Sequence, residues 1–254
     1  MSEEILINVT AMETRVALIE NGLLQEIFIE RHDHRGHVGD IFYGKVIRVM
    51  PGMEAAFVDI GLEKAAFIHA SDITAIDADG FETKDEEPKS IQQLLREGQF
   101  IVVQVAKDAI SKKGARLTTN LTLPSRNLVY LPRSKHIGIS QRIEVERERQ
   151  RLLGQLEHCL EQESWDGYGG FIVRTAAQGG LAEEFCEDVR YVRRLWAKVK
   201  LRIERANKIS TVYGELPLYI RITRDLITTH AEKIRVDNKQ SLKEIQQFLE
   251  DFMP

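Results

Sequence analysis

The sequence predicts an α+β chain, and three observations carry that expectation. Residues 45–71, KVIRVMPGMEAAFVDIGLEKAAFIHAS, alternate short β-type runs with glycine turns. Residues 4–30 read as three further strands, and residues 181–207 repeat apolar side chains at steps of three or four. In the first of these stretches Val46, Ile47, Val49, Phe57, Val58, Ile60, Phe67 and Ile68 supply the β-branched and aromatic residues of small-barrel strands.

Taken in order, residues 4–30 give EILINVT, ETRVALIE and LLQEIFIE. Leu6/Asn8 and Val16/Leu18 show strand alternation, and Asn21-Gly22 between the last two runs is a hairpin turn. This meander is too small to be stable alone, so its packing partner must arrive later in the chain. Residues 31–40 form a polar connector. Its His32, His34 and His37, in a loop with Gly36 and Gly39, read as a solvated, partly cationic stretch rather than a metal site.

Residues 40–123 hold the barrel, with four strands expected between Ile41 and about Ala70. An acidic, turn-rich insertion follows at 71–90. Its Asp77-Ala78-Asp79-Gly80 has the start of a calcium loop, but the remaining ligand positions are unfilled, so it reads as a solvated loop. IQQLLREG is then a short helix stopped by Gly98, and QFIVVQVAKD is a strand. SKKGARLTTNLTL is the last strand, entered through the basic turn Lys112-Lys113-Gly114.

In residues 124–180, LVYLPRS is a strand and HIGISQR a turn. A helix is expected from about Ile143 to Gln162, with Leu152, Leu156, Cys159 and Leu160 on one face. Glycines then surround the strand Phe171-Ile172-Val173, which ends in Arg174-Thr175. The helix over 181–207 is amphipathic, with Leu181, Phe185, Val189, Val192, Trp196, Val199 and Ile203 on its stripe. A second helix is expected from Leu216 to about Glu232, then the strand KIRVDN. A last helix follows, with Ser241 as cap and Glu244 completing a capping box.

Composition excludes several classes. The 254 residues are 43% hydrophobic and 29% charged, as in ordinary folded chains. A net charge of −4 and a pI near 6.0 require any basic surface to be local. The N-terminus is acidic where a signal peptide is basic, and no apolar run approaches ~18 residues, so no membrane and a cytoplasmic location are expected. Cys159 and Cys186 lack CxxC spacing and read as two small core residues, with neither zinc nor a disulfide.

Phe57 and Phe67 are flanked by alanines and by Lys45, Arg48 and Lys64. Rings among cations can stack the bases of a single-stranded nucleic acid at ~1–3 kcal/mol each while the cations track phosphates. Composition alone favours reading both rings as barrel core. The stretch as a whole resembles an S1 domain, the OB-type RNA-binding barrel. Arg174-Thr175 sets a guanidinium beside a hydroxyl at a strand end, a pairing that can grip a phosphate. There is no G-x-S-x-G, Walker loop or HExxH, and Asp225 and Asp237 read as structural or surface residues.

Longer stretches extend the resemblance: INVTAMETRVALIENGLLQEIFIER, REGQFIVVQVAKD, KKGARLTTNLTLP, GGFIVRTAA and KIRVDN. With the barrel segment they are similar, in order and spacing, to the N-terminal part of the bacterial ribonuclease E/G family of endoribonucleases. That resemblance implies an RNase H-like subdomain from residues 1–38 plus 211–254, an S1 barrel at 39–123 and a 5′-sensor at 124–210. It implies a 5′-monophosphate held by Arg174, Thr175 and the backbone amide of Val129. It also implies single-stranded RNA bound by Phe57, Phe67 and Lys113, helped by Lys45 and Lys107. The family often reads Y-K-G-K or Y-K-G-R where this chain has Phe42-Tyr43-Gly44-Lys45; Tyr43 exchanges a cation for another ring.

The family's magnesium-binding aspartates and zinc-linking cysteines follow the matched region, and this sequence stops at Pro254 before both. The expectation is therefore RNA capture without catalytic residues, inactive alone, with Mg²⁺ needed by the complete enzyme and no metal held here. The resemblance also allows a homo-oligomer. Two other readings stay open: a free-standing S1-type RNA-binding adaptor without nuclease activity, and an interaction scaffold using the helical stripe.

Overall fold

A computed structural model describes residues 3–75, 89–110, 113–226 and 231–252. Asp77-Gly80 and Lys112 lie outside the described residues. The chain divides into two compact units, Met1–Gly36 with Leu216–Pro254, and His37–Glu215. The first begins with β1 (Glu3–Val9), β2 (Glu13–Glu20) and β3 (Leu23–Arg31). The second contributes β4 (Ile41–Met50), β5 (Ala55–Asp59), β6 (Ala66–His69), α1 (Ile91–Leu94), β7 (Phe100–Lys107) and β8 (Arg116–Thr118). It continues with β9 (Leu123–Pro124), β10 (Leu128–Leu131), β11 (Ile137–Ile139), α2 (Glu146–Gln162), β12 (Gly170–Val173), α3 (Ala182–Arg205) and β13 (Ser210–Tyr213). The first unit resumes with α4 (Leu218–Leu226), β14 (Ala231–Val236) and α5 (Lys239–Phe252).

In the first unit β1, β2 and β3 form the expected antiparallel meander, with Asn21 and Gly22 both at positive φ in its hairpin. Its late partner is β14, which pairs parallel to β1 through Ile5↔Ile234 and Ile7↔Val236. The order is β14-β1-β2-β3. One face of this sheet buries Ile5, Ile7, Val16 and Leu18, the period-two set of its strands, and α4 and α5 contact the sheet. The helix expected to reach Glu232 is shorter: α4 ends at Leu226 and Glu232 lies within β14. The cap of α5 is Asn238, whose Oδ1 accepts from Gln240 N and Ser241 N at 2.9 and 3.0 Å, while Ser241 is buried inside the helix. Asp237 accepts from Val9 N at 2.9 Å and Asp225 pairs with Arg224, so both have structural partners.

The second unit contains a closed five-strand barrel. β4-β5-β6-β8-β7 follow one another, and β4–β7 pairing closes the ring. Phe42, Val46, Ala56, Val58, Ala66, Ile68, Val103, Val105 and Leu117 fill it, and Ile91 and Leu95 from the α1 segment join that core. Three strands, not four, lie between Ile41 and Ala70. The segment read as one last strand is divided: Arg116–Thr118 closes the barrel, while Leu123–Pro124 pairs with β10. β13, missed in a polar stretch, pairs with β4 on the edge that β5 leaves.

A second sheet, β11-β12-β10-β9, packs beside α2 and α3. β11 was read as a turn; it runs parallel to β12 and comes so close that a Cβ on Gly170 would lie 2.1 Å from His136 O. α3 buries Phe185, Val189, Val192 and Val199 as its stripe requires, whereas Leu181 precedes the helix and is exposed. Cys159 of α2 and Cys186 of α3 are not unrelated core residues. They stand sulfur to sulfur with Cα atoms 5.3 Å apart, a bridged pair's separation.

Two glycines separate packing from propensity. A Cβ on Gly114 would meet Ala65 O at 1.9 Å, whereas Gly154, inside α2, meets nothing within 4 Å. Gly114→Ala should lower stability by about 2–4 kcal/mol, and Gly154→Ala should raise it by about 1 kcal/mol. Urea unfolding of the two variants beside the wild type checks both signs.

Candidate nucleic-acid interface

Strand register assembles the interface. Phe57 of β5 lies opposite Phe67 of β6, Phe57 opposite Arg48 of β4, Phe67 beside Arg116 of β8, and Arg116 opposite Lys107 of β7. Partners in register project to the same side of a sheet. Lys107, Arg116, Phe67, Phe57 and Arg48 thus form one outward row that follows the barrel wall across its five strands. The core alternates with it: Ala56, Val58, Ala66 and Ile68 point inward and are fully buried, while Phe57 is 38% exposed and Phe67 half-buried. Neither ring is core.

The remaining expected cations take different places. Lys113 is exposed, and the glycine after it lets its turn lie against Ala65 and Ala66 beside β6. Lys45 is in the next row, opposite Asp59 and Phe100, with Nζ 5.7 Å from the Phe100 ring centroid. Arg116, absent from the expected set, is held by Asp72 through two bonds of 2.8 and 2.9 Å.

Arg174 and Thr175 follow β12. Arg174 N donates to Asn127 O at 2.8 Å, continuing the register Leu128↔Val173 and Val129↔Ile172. Asn127, Val129, Ile172 and Arg174 therefore share the face opposite the buried Leu128, Tyr130, Phe171 and Val173. The same alternation directs the Val129 amide into the ladder toward β12, leaving its side chain, rather than a free N–H, beside Arg174. Arg174 Nη1 donates to the Ser125 and Arg126 carbonyls, and Thr175 is exposed at the start of a single 3-10 turn.

Both helices fix this corner. From α2, Glu148 Oε1 accepts from Gly179 N at 3.0 Å and Arg151 Nη1 donates to Gly180 O at 3.0 Å. The Arg151 guanidinium and the Gly179 amide hold the Glu148 carboxyl well below its usual range, at about 2. From α3, Asp188 accepts from Asn127 N at 2.6 Å. Burial pushes Asp188 up to about 6, against the hydrogen bonds from Asn127 and Ser125 and the Arg126 charge. Asn127 buries both side-chain polar atoms without a hydrogen-bond partner among the described residues. A cation and an exposed hydroxyl at one strand end suit an anionic, hydrogen-bonding ligand.

The Ribonuclease E/G family model matches residues 122–254, just over half of the chain, and the S1 RNA binding domain model matches residues 37–113. The chain belongs to the Ribonuclease E/G family. Ribonuclease G of Haemophilus influenzae is 51% identical over 253 residues, covering 99% of this chain and 50% of that protein. Ribonuclease G of Escherichia coli strain K12 is 49% identical over 258 residues, 100% of this chain and 51% of that protein. Ribonuclease E of the same strain is 32% identical over 249 residues, 97% of this chain and 23% of that protein. The chain spans about half the length of the Ribonuclease G relatives it matches.

Within this family member, some site residues escaped the sequence pattern. Asp188 falls on the apolar stripe, three residues after Phe185 and four before Val192, and an acid at a core position is a usable signal. Arg116 and Asn127 gave none, because only register shows what they face. His32 and His37 are engaged structurally, with Thr14 and Asp40 respectively. Among the described residues, no three His, Cys, Asp or Glu side chains gather to hold a metal ion, and no helix is long and apolar enough to cross a membrane.

Asp188 generates a pH-dependent expectation. Its folded carboxyl titrates above the ordinary value of 3.8, so the folded chain binds more protons between about pH 4 and 6. Its contribution to stability is present below that window and is lost as pH rises through it. Asp188→Asn should therefore gain on the wild type from pH 4 to 7, by on the order of 2–3 kcal/mol. Parallel stability curves for the two proteins in urea would exclude Asp188 as the titrating group.

Proposed function

We propose that this chain captures single-stranded RNA and reads its 5′ end for an endoribonuclease acting in rRNA processing and mRNA decay. The observation that carries this reading is the outward row on the barrel, in which Phe57 and Phe67 stand side by side between Arg48 and Arg116. Bases stack on the two rings at ~1–3 kcal/mol each, and Arg48, Lys107 and Lys113, with Lys45 in the adjacent row, neutralise phosphates. The match to the S1 domain supports RNA as the ligand, and the relatives named Ribonuclease G and Ribonuclease E support the nuclease assignment.

Arg174 and Thr175 hold a 5′-monophosphate through charge-assisted hydrogen bonds, with Val129 as the apolar wall beside them. A 5′-hydroxyl offers no such charge, and a triphosphate should bind less well than a monophosphate. In this reading residues 1–38 and 211–254 are an RNase H-like part, 39–123 the S1 barrel and 124–210 the 5′-sensor. The protein works in the cytoplasm on single-stranded RNA, and a homo-oligomer is compatible with that role. Mg²⁺ would serve phosphodiester hydrolysis in the complete enzyme. The described residues do not form a donor set for it, and the role of this chain is binding and orientation.

The test compares a short single-stranded RNA bearing a 5′-monophosphate with the same RNA bearing a 5′-hydroxyl. Wild type should prefer the phosphate by roughly tenfold or more, the scale of one charge-assisted hydrogen bond. Arg174→Ala and Thr175→Ala should each erase most of that preference while retaining affinity for the hydroxyl RNA. Equal binding of both RNAs by the wild type would remove 5′-end reading and leave an RNA-binding adaptor.

A further inference from the structure

Outside the row just described, the barrel carries a second group of rings and cations. Phe100, the first residue of β7, is 37% exposed and stacks on Tyr43 of β4, with centroids 5.1 Å apart and planes within 9°. Lys45 lies directly opposite Phe100, with its ammonium over the Phe100 ring. Tyr43 and Lys45 are two apart on β4 and so project to the same side, away from the buried Phe42, Gly44 and Val46.

We propose that Tyr43, Phe100 and Lys45 form a second base-stacking station, which extends the RNA path from Phe57 and Phe67 across β4 to β7. This rests on the reading of the barrel as a single-stranded RNA binder. Phe100 aligns with Lys45, and Lys45 with Asp59, two residues along β5 from Phe57. Phe100 and Phe57 thus lie on the two strands that flank β4, two strand spacings and one two-residue step apart along the barrel wall. The surface between them is continuous in character. Ile47, in the bulge of β4, is 49% exposed, and Lys45 and Arg48 flank it. Asp59, between Lys45 and Phe57 in this strip, accepts from Gly61 N at 2.9 Å.

Three features favour RNA over a protein partner here. An OB-type barrel covers roughly 4–16 nucleotides, more than two rings can stack. The strip is continuous with the Phe57/Phe67 row. Its cations complement a polyanion, and Lys45, drawn to the face of Phe100, is placed to meet the phosphate of a base stacked on that pair.

The experiment uses the full chain and oligouridylates of 4 and 12 nucleotides with 5′-hydroxyl ends, so that 5′-end recognition does not contribute. Phe100→Ala should weaken the 12-mer by about fivefold to a hundredfold, the range for loss of one stacked base. It should leave the 4-mer unchanged. Phe57→Ala should weaken both. Phe100→Leu keeps apolar volume without a ring and should behave like Phe100→Ala, and thermal unfolding verifies that each variant is folded. Wild-type affinity of Phe100→Ala or Phe100→Leu for the 12-mer, beside an impaired Phe57→Ala, would overturn the second station alone. If Phe57→Ala also bound both RNAs normally, the barrel reading itself would fall, and the second station with it.

Discussion

Closure of the barrel through β4 is the constraint on which the interface depends. The strand has ten residues and only two edges, yet it serves three partners. β7 pairs along Ile41–Lys45, β5 along Lys45–Met50, and β13 along Ile41–Tyr43. The register shift between Val46 and Arg48 marks the bulge that lets one strand bend between these pairings. Because side chains alternate, closure decides in one step that Phe42 and Val46 enter the core while Tyr43, Lys45 and Arg48 face outward. A one-residue slip would exchange the two sets.

The same alternation inverts the usual placement of large and small residues on β5 and β6. Ala56, Val58, Ala66 and Ile68 are buried, all smaller than the outward-facing Phe57 and Phe67. Fully burying a phenylalanine contributes roughly 1.5–3 kcal/mol, so two rings left partly exposed on the barrel wall forgo a share of that stabilisation. Folding gives no reason for that arrangement. A ligand with flat apolar faces does, and the cations on either side of the rings specify that it is anionic.

What the sequence disclosed follows from which interactions are local. The Asn21-Gly22 hairpin and the α3 stripe from Phe185 to Val199 depend on turn chemistry and periodicity, and both stand as read. Phe57 and Phe67 were identified from local composition, but whether they were core or surface was settled by register, which is not local. The short strands β9, β11 and β13 escaped because two to four residues carry no period, and their existence depends on a neighbouring edge. Asn238 displaced Ser241 as the α5 cap because a side-chain oxygen three residues earlier reached the same amides. Phe100 was read only as part of the strand QFIVVQVAKD. Only the closing pairing with β4 turns it outward beside Tyr43 and Lys45.

The acidic balance of the chain is compatible with this interface because the nearby carboxylates are engaged. Asp59 accepts from Gly61 N, Asp72 holds Arg116, and Glu97 Oε1 accepts from Val49 N at 3.1 Å. Each is drawn into a turn or a pair rather than set in the path of phosphates. The cations proposed to meet phosphates are few: Lys45, Arg48, Lys107 and Lys113. On a single strand each neutralised phosphate lowers the log–log salt slope by ≈0.7, so four bound the electrostatic share at a slope of about −3. That is shallow for a nucleic-acid binder. The balance of affinity must then come from rings, which salt does not screen, and a site relying on stacking needs several rings at base-sized intervals along one continuous face. The second station proposed at Tyr43 and Phe100 would add such rings, and a single strand, β4, links it to the side of the closed barrel that carries Phe57 and Phe67.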